Sequence, residues 1–232
     1  MKALILAGGR GKRLRPLTDS TPKPLIEVAG KPIIAWQIEW LRSHGIGEIV
    51  VCVGYLKERL IEYLGDGREH GVRVGYVVER EPLGTGGAIK NAEVFLRGEE
   101  GFFVVNGDVI TDLDLKELAE LEPGYVGSIA LVPLPSPYGI VEFDETMTVT
   151  SFEEKPLLPQ YWINAGVYYF RPEVFRYLPS RGDIERTTLP RLAELRLLKA
   201  VKYEGVFWKS IETVKDVEEA SAILSEGACD HG

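Results

Sequence analysis

Short apolar runs alternate with helical patterns through the first half of the chain. Lys2–Leu6, Glu48–Val53, Val72–Val78 and Phe102–Asn106 read as buried strands. Between them, Ile33–His44 carries apolar residues at helical spacing and Lys57–Leu64 reads as a short helix. Thr85 stands where it can cap a helix over Gly86–Arg97. This strand–helix alternation predicts a three-layer α/β fold, Rossmann-like, with a mainly parallel mixed sheet covered on both faces. Such sheets bind ligands beyond the carboxyl ends of their strands. Gly8-Gly9 follows the first predicted strand and Asp108 follows the fourth, so the two can share one site although about a hundred residues separate them.

The second half is less regular. Val126–Leu134, Gly139–Phe143, Val149–Glu154 and Asn164–Phe170 are strand-like, with prolines between several of them, and Ile184–Leu195 and Val214–Ser225 look helical. This half completes the sheet and adds a β-rich lobe. No low-complexity linker divides the chain, which reads as one domain over 1–226 followed by a loose tail over 227–232. No internal repeat is evident, and in particular no hexapeptide repeat.

Composition narrows the setting. With 45% hydrophobic and 27% charged residues, the chain matches an ordinary soluble globular protein. No segment approaches the ~20 apolar residues of a membrane span, and the N-terminus lacks a signal-type apolar stretch, so the expected compartment is the cytoplasm. Cys52, in a predicted buried strand, and Cys229, in the tail, lack metal-ligand spacing and are not expected to pair. The net charge of −8 argues against nucleic-acid or anionic-membrane partners. Yet Arg10, Lys12, Arg13, Arg15 and Lys23 crowd into residues 10–23 with one acid, Asp19. A strand feeding a Gly-rich basic loop is a device for holding phosphate, because its backbone N–H groups form an anion nest. In an acidic protein it suits a small phosphorylated ligand better than a polyanion. The loop lacks the G-K-[ST] ending of a P-loop, and Leu14 stands where a dinucleotide fingerprint needs its third glycine. His44, His70 and His231 compose no legible Ser–His–Asp set.

At this point the residues resemble a family, the sugar-phosphate nucleotidylyltransferases. The carrying pieces are Ala7–Thr18 (A-G-G-x-G-x-R-L-x-P-L-T), Pro22–Leu25 (P-K-P-L), Leu83–Ala88 (L-G-T-G-G-A), Asn106–Asp108 (N-G-D), Tyr138–Val141 (Y-G-I-V), Phe152–Pro156 (F-E-E-K-P) and Ile163–Tyr168 (I-N-A-G-V-Y). They stand in the family's order and span nearly the whole chain.

The resemblance implies an enzyme that transfers a nucleotidyl group from an NTP to a sugar 1-phosphate and releases pyrophosphate, with Mg²⁺ as cofactor. Residues 1–110 would mainly hold nucleotide and 111–226 mainly sugar phosphate. Arg13 would grip the triphosphate, Lys23 the phosphates at the reacting centre, and Asp108 the metal. Leu6, Ala7, Gly8, Gly9 and Gly11 would cradle the nucleotide, with Leu83, Gly84, Thr85 and Gly86 closing over the base. Lys155 would hold the sugar phosphate, while Gly139, Glu154 and Asn164 would hold sugar hydroxyls. The family's usual W-x-D-x-G-T ending is altered here to Trp208-Lys209-Ser210-Ile211-Glu212-Thr213. Ser210 occupies the Asp position, and residues two apart on an extended segment share a side. Glu212 is therefore the expected second metal ligand, beside Asp108. The motifs look most like guanylyl-transferring members acting on mannose 1-phosphate or a related hexose or heptose phosphate. CTP, UTP or dTTP stay open as donors, as do homo-oligomerisation and a non-catalytic regulatory role.

Overall fold

The computed structural model describes residues 1–227; Cys229, His231 and all but the first residue of the expected tail lie outside the described residues. Strands β1 (Lys2–Leu6), β2 (Glu48–Val53), β3 (Arg73–Val78), β4 (Phe102–Asn106), β5 (Gly127–Pro135), β6 (Leu157–Phe170) and β7 (Leu198–Lys202) form one sheet in the order β7-β5-β6-β4-β1-β2-β3. The pairs β1–β2, β1–β4, β2–β3 and β5–β7 are parallel, and β6 runs antiparallel to β4 and β5. The sheet is thus mixed and mainly parallel, as the alternation predicts.

Successive side chains of a strand leave opposite faces. In β2, Ile49, Val51 and Val53 enter one core while Val50 and Cys52 enter the other. In β4, Phe103 and Val105 separate from Phe102 and Val104 in the same way. Burial on both faces is why these strands read as continuous apolar runs. Helices α1 (Ile33–Ser43) and α2 (Lys57–Leu64) cover the first face through Ile34, Ile38, Leu41, Leu60 and Leu64. The opposite face is covered by α3 (Gly84–Asn91), α4 (Glu93–Leu96) and a later helix over Thr188–Glu194, through Ala88, Ile89, Leu96, Leu189 and Leu192. A third cluster joins Ile26, Val28, Ile33, Ile110 and Ile211 to Ala220 of the Val214–Gly227 helix. No helix among the described residues is long and apolar enough to cross a membrane.

Two helices differ from expectation. Thr85 does not cap α3: that helix begins at Gly84, with Leu83 before it and no side-chain cap. The Thr85 hydroxyl instead donates to Glu185 Oε2 (2.7 Å) and accepts from the Ile184 N–H (2.8 Å). The single helix expected over Ile184–Leu195 is a 3-10 turn, Ile184–Arg186, followed by Thr188–Glu194. Pro190 explains the restart, since proline fits the first turn of a helix but clashes with the preceding turn from an interior position. Strand β7 and a short ribbon pairing Val109–Thr111 with Trp208–Ser210 are additions that the pattern does not predict.

Candidate active site

The opening loop leaves β1 and stays close to the sheet. Ala7 N–H bonds to Cys52 O (2.9 Å), continuing the β1–β2 ladder. Gly11 turns with φ +57°, and a Cβ there would meet Thr18 Cγ2 at 2.9 Å and Lys23 Cβ at 3.1 Å, so conformation and space both require glycine. A tight turn over Lys12–Leu14 follows, closed by Leu14 N–H on Gly11 O (2.9 Å). The Leu14 side chain is wholly buried and anchors the loop, leaving Arg13 exposed. Pro22 and Pro24 flank Lys23 in a second turn, closed by Leu25 N–H on Pro22 O (2.8 Å). The five basic side chains therefore separate. Arg10 lies over the Tyr55 ring and Arg15 pairs with Asp19 (3.2 Å), whereas Lys12, Arg13 and Lys23 line a cavity.

The opposite wall comes from the end of β4, where Asn106 is in register with Leu6. Gly107 N–H bonds to Leu6 O (3.1 Å), and a Cβ on Gly107 would collide with that oxygen. Asp108 follows, and its Oδ2 receives Lys23 Nζ at 2.6 Å. The Asp108 carbonyl accepts the Ile211 N–H (2.8 Å), which draws residues 211–213 to the cavity. Ile211 is fully buried in the third cluster. Of Ser210 and Glu212, only Glu212 lines the cavity. Asp216 Oδ2 accepts from the Glu212 N–H (3.1 Å), the Thr213 N–H (2.8 Å) and the Thr213 hydroxyl (2.8 Å), a capping-box arrangement that fixes the chain just after Glu212. The Glu212 carboxylate takes both arms of Arg13, with Nη2 on Oε1 at 3.0 Å and Nη1 on Oε2.

These walls enclose about 400 Å³. Leu6, Ala7, Gly8, Gly9 and Gly11 line it together with Gly84 and Thr85. So do Glu79 and Asp183, which the motifs do not single out. Glu79 was findable by the rule that picks out Asp108, for it directly follows the end of β3. Its carboxylate lies against Gly8, where a Cβ would come within 2.8 Å of Oε1, and its Oε2 accepts the Leu83 N–H (3.1 Å). Burial raises the Glu79 carboxyl above the ordinary range, with the Leu83 hydrogen bond pulling the other way.

The lining holds four carboxylates (Glu79, Asp108, Asp183, Glu212) against three cations (Lys12, Arg13, Lys23). A polyphosphate entering alone would add negative charge to an already acidic cavity, so this donor set fits a divalent cation arriving with it. Among the described residues, no three acidic, histidine or cysteine side chains cluster as a metal cage. Mg²⁺ does not need one, because one or two carboxylates plus substrate phosphates and water complete its shell.

Other expected site residues lie elsewhere. Gly86 sits behind the cavity wall: its N–H bonds to Gly182 O (2.9 Å), and a Cβ would press on Pro179 at 3.1 Å. The Leu83 carbonyl accepts the Gly182 N–H (2.7 Å). The close approach that this glycine-rich turn permits is thus to the chain's own 180–183 segment. Gly139, Glu154, Lys155 and Asn164 do not line the cavity. Glu154 and Lys155 form an exposed pair (3.7 Å), with Gly139 beside Glu154 and Lys155 at φ +49°. Asn164 donates to the Tyr168 hydroxyl (2.6 Å) and accepts the Gly166 N–H (2.9 Å), bridging the register shift in β6.

Known proteins resemble this chain in sequence and in fold. The profile of the nucleotidyl transferase family matches residues 2–227. Mannose-1-phosphate guanyltransferase of Saccharomyces cerevisiae is 40% identical over 226 residues, covering 93% of this chain and 62% of its own length. Mannose-1-phosphate guanylyltransferase 1 of Arabidopsis thaliana is 41% identical over 226 residues, with the same 93% and 62% coverage. The chain therefore spans under two thirds of these relatives. The crystal structure of HddC from Yersinia pseudotuberculosis superposes with a TM-score of 0.76 at 29% identity, covering 96% of this chain and 99% of that one. The same protein complexed with GMP-PN gives 0.75 at 28% identity, with the same coverage. With the motifs in order, the sheet they predict and a family profile matched almost end to end, the chain belongs to the nucleotidyl transferase family.

Proposed function

We propose that this protein is a Mg²⁺-dependent sugar-1-phosphate nucleotidylyltransferase, with GTP as donor and mannose 1-phosphate or a related hexose or heptose phosphate as acceptor. One observation carries the reading: Arg13, Lys23, Asp108 and Glu212 meet in a single cavity at the carboxyl ends of parallel strands, each cation held by one carboxylate. A site built for phosphate and metal together has this composition. A sugar-phosphate oxygen attacks the α-phosphorus, a new P–O bond forms there, and the bond to the bridging oxygen breaks to release pyrophosphate. The nucleophile is already ionised, so no general base is needed. The chain's task is positioning and charge neutralisation. Arg13 turns from Glu212 to the departing pyrophosphate oxygens, which its fork matches. Lys23 faces the reacting phosphorus, and Asp108 and Glu212 would hold Mg²⁺, which supplies charge stabilisation on the phosphate oxygens.

Glu79 favours guanine as the base. An ionised carboxylate only accepts hydrogen bonds. Guanine presents N1–H and N2–H donors side by side, cytosine presents one amino group, and uracil and thymine flank their single N–H with carbonyls. The guanylyltransferase relatives and the GMP-PN complex support the same choice. The test is a matrix of GTP, ATP, CTP, UTP and dTTP against several sugar 1-phosphates, read by pyrophosphate release with Mg²⁺. The expected outcome is turnover strongest with GTP. Binding without release in every cell of the matrix would instead select a regulatory paralogue.

A further inference from the structure

One buried amide outside the cavity is aimed at the turn that carries Asp108. Gln37 lies in α1 with 1% of its surface exposed. Its Nε2 donates to Asn106 O (2.8 Å) and to Val109 O (2.8 Å), the two carbonyls that bracket Gly107-Asp108. Its orientation follows from these partners, since only the NH₂ group can serve two carbonyl oxygens. The other end, Oε1, is buried with no hydrogen-bond partner among the described residues. Packing alone would be better served by an apolar side chain of similar size, which leaves nothing unsatisfied. What the position supplies is the pair of donors. The rest of the turn is held from other sides, Gly107 N–H by Leu6 O and Asp108 O by the Ile211 N–H. One helical turn beyond Gln37, Trp40 Nε1 donates to Leu113 O (3.0 Å) and pins the far end of the same segment to α1.

We infer that Gln37 is a positioning residue: through the Asn106 and Val109 carbonyls it sets the Asp108 carboxylate, now 2.6 Å from Lys23 Nζ, for metal and phosphate. It touches no substrate, since it does not line the cavity. The inference rests on the role proposed above for Asp108.

The test is a double-mutant cycle of Gln37→Leu and Asp108→Asn, with thermal melts run in parallel. Three quantities are read: kcat, the KM for the sugar 1-phosphate, and Mg²⁺ affinity by calorimetry in the presence of a non-hydrolysable GTP analogue without sugar phosphate. Gln37→Leu alone should weaken Mg²⁺ binding and lower kcat by roughly 10- to 100-fold, the usual range for residues that orient a metal ligand. The KM for the sugar 1-phosphate should stay unchanged. In the Asp108→Asn background the same substitution should cost less than about threefold, because groups acting as one unit are not additive. Gln37→Glu gives the cycle a nearly isosteric second arm. Its deficit relative to wild type should shrink as the pH falls and the carboxyl gains one donor. Losses that multiply independently would mean a general structural role and overturn the inference. A fully active Gln37→Leu beside a crippled Asp108→Asn overturns it alone, whereas a fully active Asp108→Asn overturns the site reading and this inference together.

Discussion

The part of the molecule built on β1 to β4 is closed around its cavity, whereas the lobe built on β5, β6 and the Ile140–Phe143/Val149–Glu153 ribbon is open to solvent. In the first, the loops are pinned by main-chain contacts: Ala7 to Cys52, Gly107 to Leu6, Gly182 to Leu83. In the second, every residue of both ribbon strands is exposed, and the Glu154–Lys155 pair stands in solvent. On the function proposed above, the contrast separates two ways of binding phosphate. The half proposed to hold nucleotide has its cradle formed without a ligand. The half proposed to hold sugar phosphate carries its charged groups on side chains whose ordering on binding would cost conformational entropy. Changes in the first should therefore damage turnover, and changes in the second should damage acceptor affinity.

The largest effect should come from the paired charges of the closed half. Lys23→Ala and Asp108→Ala should each lower kcat by about 10²–10³-fold, the usual cost of removing one preorganised charge-stabilising group. Glu212→Ala should approach that loss while Ser210→Ala stays near wild type, since only Glu212 lines the cavity. Pyrophosphate release over a Mg²⁺ series measures all four. A near-normal Glu212→Ala would leave Glu212 as a mere counter-ion for Arg13.

The open lobe should answer differently. In the role proposed for Lys155, Lys155→Ala would remove a charge-assisted hydrogen bond to the sugar phosphate, worth about 1.5–3 kcal/mol, so the acceptor KM should rise by roughly 10- to 100-fold while GTP binding is unchanged. A fall in kcat as large as that of Lys23→Ala would erase the distinction between the two halves.

The same contrast governs what the chain reveals before it folds. Strands β1, β2 and β4 are buried on both faces, so each writes itself as an apolar run, and the residues just past their ends are found by position alone. Pro190 and the Thr85 hydroxyl act through neighbours: one restarts a helix, and the other bonds to Ile184 and Glu185 a hundred residues away. Strand β7 is an edge strand whose LKAVK has no long apolar stretch. Gly84 and Gly86 are legible as a close approach, but the partner they approach, the segment around Gly182, is fixed only by tertiary packing. Glu79 carries no motif at all, although its place past β3 gives it to the site.

Glu79 tests whether the closed half also chooses the base. Glu79→Gln keeps the shape but replaces an acceptor-only group by a mixed one, so preference for GTP over CTP should drop by about tenfold, the value of one hydrogen bond of roughly 1.4 kcal/mol. Because burial raises the Glu79 carboxyl, acidification neutralises it sooner than an ordinary glutamate. The acid limb of kcat/KM for GTP, which reports the free enzyme, should therefore lie at higher pH in wild type than in Glu79→Gln. Coincident acid limbs would remove Glu79 from base recognition.

The smallest effect belongs to the joint that delivers Glu212 to the cavity. Burial raises the Asp216 carboxyl, but hydrogen bonds from the Thr213 hydroxyl, the Thr213 and Glu212 N–H groups and Lys209 outweigh it and hold the group below its usual range. An acid depressed in the folded state adds stability above its unfolded pKa, about 3.9, and loses it as the pH falls through the lower folded value. Asp216→Asn should cost about 1 kcal/mol near neutral pH, the scale of one helix cap. The difference in denaturation midpoint from wild type should begin to shrink as the pH drops below about 4 and vanish only below the lower folded-state value, where both chains carry a neutral group. Mg²⁺ affinity should weaken only slightly, because Ile211 stays buried and still ties the segment to the Asp108 carbonyl. A loss of Mg²⁺ affinity as large as that of Glu212→Ala would mean that the cap, rather than the Ile211 anchor, holds Glu212 in place.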